Sequence, residues 1–166
     1  MIKRIALVAA LALAAAGGGI AVYLLQASPA DSRRPDFTLN DLDGKPRSIA
    51  EWDGQVVLVN FWAPWCKPCR EEMPMLIKLQ HDLGPHGLQV LGLAVDDAGP
   101  VRSFAEALKV NYPLLVDLLQ VIPVQEAYGD SRLPYSVLID RRGYIIYRKA
   151  GELSRAEIEA QIQPLL

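Results

Sequence analysis

Apolar positions along this chain change period several times, and each change marks an element. Ile5 to Leu25 is apolar or small throughout, whereas the chain beyond Pro35 alternates short apolar runs with amphipathic stretches. Asp36 to Lys45 holds Asp43-Gly44 between two alternating segments, which predicts a hairpin. Ser48 to Gly54 predicts a brief helical or turn segment, with Trp52 in the core. Val56 to Trp62, with Asn60 as its one polar break, predicts a buried strand. Gln89 to Val95 predicts a second strand and Leu114 to Val116 a short third. Ser136 to Ile139 and Tyr144 to Lys149 predict two more, joined by Asp140-Arg141-Arg142-Gly143. Among them, Met73, Leu76, Ile77, Leu79 and Leu83 fall at helical spacing, as do Val101, Phe104, Ala105 and Leu108 within Gly99 to Lys109. Val124 to Tyr128 predicts a short helix closed by Gly129. Ser154 to Ile162 predicts a final helix, with Ser154 and Glu157 as a reciprocal cap. Strands alternating with helices and ending in a hairpin predict an α/β fold, a mixed central sheet with helices on both faces.

Length and charge narrow this further. The 166 residues suffice for one globular domain, and a formal net charge of −2 gives no basic field for nucleic acid. Lys3 and Arg4 precede the uncharged run from Ile5 to Leu25, which at about 1.5 Å per residue spans a bilayer core of about 30 Å. The positive flank keeps the N-terminus in the cytoplasm and places the remainder outside. A cleaved signal peptide is the alternative, with small residues near Ala16 or after Ala30 as cut sites. The expected organisation is therefore an anchor or signal over 1–25, a linker over 26–35 and a domain over 36–166. In both cases the domain occupies an oxidising space where thiols tend towards disulfides.

The candidate chemistry lies in Trp65-Cys66-Lys67-Pro68-Cys69, which holds both cysteines of the chain. The pair follows the Val56 to Trp62 strand and opens the helix after it, so unpaired N–H groups and the positive end of the helix dipole favour a thiolate at Cys66. A free cysteine titrates near about 8.5, and this placement brings it to about 3.5–7.5. Cys66 is then the nucleophile and Cys69, one turn inward, the thiol that resolves a mixed disulfide. Pro68 suits a first helical turn, and Lys67 adds a positive charge close to Cys66. A structural disulfide is a weaker reading, since so short a loop constrains the unfolded chain little. A zinc half-site would need two further ligands, and His81 and His86 bring no second cysteine pair. No metal or cofactor is expected.

Phe61-Trp62-Ala63-Pro64-Trp65-Cys66-Lys67-Pro68-Cys69 resembles the active-site segment of thioredoxin-fold proteins. From Pro35 to Leu166 the chain resembles the membrane-anchored TlpA and ResA type of thiol-disulfide oxidoreductase. Pro74 matches the proline inside the family's active-site helix, and Leu133-Pro134 its cis-proline facing the disulfide. The stretch Gly99 to Leu119 matches the family's additional helix-strand unit. The resemblance implies that Glu72, three residues after Cys69, tunes or shuttles the Cys69 proton; a solvated charge beside Arg70 and Glu71 is the other reading. It implies an amide at Asn60 where many thioredoxins carry a buried aspartate. Substrate contacts are expected from Leu133, Pro134 and Tyr135. Trp65 is read as a docking surface, or simply as a packed aromatic.

The function expected on these grounds is that of an extracytoplasmic protein-disulfide reductase on a bacterial inner membrane. Its partners are protein disulfides or dithiols, with the haem-site cysteines of cytochrome c as one candidate, and a transmembrane thiol donor supplies its electrons. The alternative is a dithiol oxidase. A peroxiredoxin fits less well, because that chemistry needs a hydroxyl three residues before its cysteine and a proline four before that, where this chain has Ala63 and Val59.

Overall fold

The computed structural model describes residues 33–166; the expected anchor over 1–25 and most of the linker lie outside them. Asp43-Gly44 closes a hairpin of β1 (Thr38–Asp41) and β2 (Pro46–Ser48), with Gly44 at φ 76° and the Asp41 carboxylate accepting the backbone N–H groups of Asp43 and Lys45. A short 3₁₀ turn, Ile49–Trp52, then buries Ile49 and Trp52. It carries a reciprocal cap between Ser48 and Glu51, a pairing that the sequence pattern did not single out. Strand β3 (Val56–Trp62) is buried at every position. Helix α1 (Lys67–Leu83), β4 (Leu88–Ala94), α2 (Ala98–Leu108) and β5 (Leu114–Val116) follow, then α3 (Leu118–Tyr128), β6 (Tyr135–Ile139), β7 (Ile145–Ala150) and α4 (Arg155–Ile162).

Seven strands form one mixed sheet in the order β2-β1-β5-β4-β3-β6-β7. The central β3, β4 and β5 are parallel, and the outer strands run antiparallel to their neighbours. Alternate residues of β3 feed two cores. Val56, Leu58 and Trp62 pack with Met73, Leu76 and Leu79 of α1, Val101 of α2 and Ile158 and Ile162 of α4. Val57, Val59 and Phe61 pack on the other face with Val121 and Tyr128 of α3 and with Phe37 and Trp52. A strand buried on both faces reads as a nearly continuous apolar run, which is the pattern Val56 to Trp62 shows apart from Asn60.

Two expectations are corrected. Helix α3 begins at Leu118 rather than Val124: Pro123 reads as a helix boundary because it lacks an N–H, yet the Asp117 carboxylate caps Leu119 and Gln120 and the helix continues through the proline. At α4, Ser154 Oγ accepts the Glu157 N–H, but Glu157 does not reach back; its carboxylate takes the Tyr147 hydroxyl at 2.6 Å and Lys149 Nζ at 2.8 Å.

The described chain starts on the sheet at the β6–β7 turn. Arg33 bridges Tyr144, and the Arg34 N–H donates to Gly143 O at 2.8 Å. The Arg34 guanidinium pairs with Asp36 and Asp53, and the Tyr128 hydroxyl donates to Pro35 O. This turn lies beside the start of β3, since Ile139 pairs with Val57. The cysteines follow the other end of β3.

Candidate active site

Cys66 is the N-cap of α1, with extended backbone (φ −78°, ψ 109°) and Sγ accepting the Cys69 N–H at 3.3 Å. The sequence puts it there because Pro68 suits a first helical turn, where its missing N–H costs little, and because β3 ends at Trp62. Cys66 and Cys69 are joined by a disulfide. Cys66 is 5% exposed and lines a groove, whereas Cys69 is fully buried.

Behind the disulfide lies a sealed polar cluster. Glu72, one helical turn beyond Cys69 on the same inward face, is only 2% exposed. Its Oε1 accepts Asn60 Nδ2 at 2.7 Å and its Oε2 accepts the Leu153 N–H at 2.9 Å. Asn60 Nδ2 also donates to Ser136 Oγ at 3.0 Å, which ties α1 to β3 and β6. Burial pushes the Glu72 carboxyl up to about 7; the Leu153 and Asn60 donors pull it back, and the charge of Glu152 adds to the rise. Glu72 is therefore no solvated charge: near neutral pH it exists in both protonation states.

In front of the disulfide is an apolar groove of about 650 Å³ lined by Trp65, Cys66, Pro68, Val95, Leu118, Ile122, Gln125, Ser131 and Leu133. Trp65 is 66% exposed, so the alternative of a packed aromatic does not hold. Leu133 lines the groove, and the Leu133–Pro134 peptide is cis. Lys67 is exposed and pairs with Glu71 at 3.7 Å. Tyr135 corrects the expectation that its side chain meets substrate: it is buried, stacks on Phe61 and donates its hydroxyl to Tyr128 O. The residues that sequence reasoning missed are Leu118 and Ile122, which lie before the expected start of α3, and Leu153, whose contribution is a backbone N–H and leaves no trace in side-chain pattern.

A disulfide at the start of a helix after a central strand, sharing its groove with the residue before a cis-proline and backed by a buried acid, defines a thioredoxin-like dithiol-disulfide oxidoreductase. Residues 29–162 match the Redoxin family model, and the chain belongs to that family. It is 32% identical over 135 residues to the thiol-disulfide oxidoreductase ResA of Geobacillus thermodenitrificans, covering 81% of this chain and 76% of that protein. Among solved structures it is similar to a thiol:disulfide interchange protein of the thioredoxin family from Chlorobium tepidum, with TM-score 0.74, 27% identity and coverage of 84% and 99%. A secreted disulfide oxidoreductase of Mycobacterium tuberculosis, described as homologous to DsbE of E. coli, aligns with TM-score 0.67 at 25% identity over 78% of this chain and 96% of that one. The chain is thus a thiol-disulfide oxidoreductase of the ResA and DsbE type.

Proposed function

We propose that the chain is an extracytoplasmic reductase of protein disulfides, tethered by residues 5–25. The observation that carries the direction is the buried Glu72 carboxyl one turn from Cys69. A strong dithiol oxidant owes its potential to a stabilised reduced form, in which thiolate charge is well accommodated. A buried carboxylate beside the inner cysteine disfavours such charge and so favours the disulfide, which gives a reductant. In the forward reaction the Cys66 thiolate attacks a substrate disulfide and breaks its S–S bond, so that one substrate sulfur joins Cys66 in the mixed disulfide and the other leaves as a thiolate. Cys69 then passes its proton to Glu72 and attacks Cys66 Sγ; the second substrate sulfur leaves as a thiolate, which solvent protonates, and the Cys66–Cys69 bond forms. Trp65 and Leu133 hold the substrate segment in the groove. The haem-site cysteines of apocytochrome c are a fitting substrate, and a membrane thiol carrier re-reduces the pair.

The deciding measurement is the reduction potential of the pair. A value near thioredoxin's, about −270 mV, is expected; one near DsbA's, about −120 mV, would overturn the reductase in favour of an oxidase. Cys69→Ser is expected to accumulate mixed disulfides through Cys66, whereas trapping through Cys69 in the Cys66→Ser variant alone would reverse the two roles. Mass spectrometry of the membrane fraction tests the tether: a mature chain starting near Ala30 in the soluble fraction would refute it.

A further inference from the structure

Three buried polar atoms near Glu72 have no hydrogen-bond partner among the described residues: Asn60 Oδ1, Trp62 Nε1 and Tyr112 Oη. Asn60 and Trp62 stand on β3, and Tyr112 comes from the connection between α2 and β5. The two aromatics converge at Gly92, whose backbone pairs with that of Asn60 across β3 and β4. A Cβ at position 92 would stand 3.0 Å from Trp62 Nε1 and 3.3 Å from Tyr112 Cε2, the ring carbon next to the one that carries the hydroxyl. The polar edges of both aromatics therefore rest on bare backbone, one strand from the amide that holds Glu72. Buried polar groups are almost always paired, because one left alone loses its hydration without return. Three gathered in one corner, beside a carboxyl, point to a use. Tyr112 also lines a solvent-open groove of about 240 Å³, with Leu42, Arg102, Glu106 and Lys109.

We propose that Tyr112 is a positioning residue for the Glu72 proton: with Asn60 Oδ1 and Trp62 Nε1, its hydroxyl forms the inner end of a solvent-bridged path from Glu72 to the groove beside α2. The inference rests on the reading of Glu72 as acceptor of the Cys69 proton. A protein joined to Cys66 covers the open side of the disulfide, and Cys69 and Glu72 are already sealed, so the proton needs another way out. Glu72 receives it from the Cys69 thiol and gives it to a bridging water. The Tyr112 hydroxyl accepts one proton and releases its own towards the groove, where solvent takes it; no electron moves and Tyr112 ends unchanged. It remains neutral throughout, because burial and then the Glu72 charge hold its phenol far above the ordinary range. Besides Cys69, the titratable groups facing Glu72 are Tyr112 and Glu152, while Asn60, Ser136 and the Leu153 N–H are neutral.

Tyr112→Phe removes a hydroxyl that no described protein group bonds, so the variant should fold with a urea midpoint close to the parent's. The test is the single-turnover rate of the pre-reduced chain with insulin as the protein disulfide, from about pH 5 to 9, in ordinary and heavy water, for the parent, Tyr112→Phe and Glu72→Gln. The parent profile should inflect near 7. Glu72→Gln should abolish that inflection, and Tyr112→Phe should keep it while slowing the reaction about tenfold with a larger solvent isotope effect. Loss of the inflection in Glu72→Gln with a parent-like Tyr112→Phe would overturn the path and leave the Glu72 reading intact. An unchanged profile in Glu72→Gln would overturn both.

Discussion

Glu72 is the residue at which stability and chemistry oppose each other. Its carboxyl ordinarily titrates near 4.5, and burial raises this to about 7 in the folded chain. A group with a raised folded value favours the fold while protonated, so its contribution is complete below 4.5 and is lost as pH rises through about 7. Full loss corresponds to about 3 kcal/mol. The urea midpoint of the oxidised protein is expected to fall across that window, and the midpoint of Glu72→Gln to stay flatter; parallel curves would show that the carboxyl carries no such burden. The spacing of Glu72 from Cys69 was legible in the sequence because a helix stacks residues three apart. Its burial was not, since Arg70 and Glu71 beside it read as a solvated surface. Tyr135 was placed among the substrate contacts by the resemblance, from its position after the cis-proline; on β6 it turns inward instead, onto Phe61 and Tyr128. Tyr112 carried no signal at all, lying between elements.

Among the elements, β3 and α1 were legible nearly to the residue, because one is a continuous apolar run and the other an amphipathic stripe opened by a proline. Helix α3 was not, and its missed first turns carry Leu118, Leu119 and Ile122, all exposed, with Leu118 and Ile122 beside the disulfide. Leu119 is 80% exposed, so Leu119→Ser is expected to leave stability within about 0.5 kcal/mol. Leu118→Ser should likewise fold, yet slow the reaction with protein disulfides while sparing that with a small disulfide such as oxidised glutathione. Equal slowing of both would remove α3 from docking. At α4 the cap is one-sided, and Ser154→Ala should cost about 1 kcal/mol in chemical denaturation. On β4, Gly92→Ala would set a Cβ 2.5 Å from Leu114 Cδ2, and overpacking of this kind costs about 1–3 kcal/mol.

At the scale of the molecule, sequence alternation was enough for a mixed sheet with helices on both faces, since each face of β3 needs its own cover. The strand order was less legible: β5 inserts between β1 and β4, a long-range pairing that no local pattern encodes. The clasp of Arg33 and Arg34 on the β6–β7 turn has its own consequence. It fixes residue 33 at one end of β3, while the disulfide follows the other end, about 20 Å away along the strand at roughly 3.3 Å per residue. A load hung on residue 33 therefore pulls on the turn and on Asp53, at the end of β3 away from the disulfide. A bulky carrier fused directly before Arg33 is therefore expected to leave the rate with protein disulfides at that of the free domain, and a slower fusion would show that grip at one end of β3 is felt at the other.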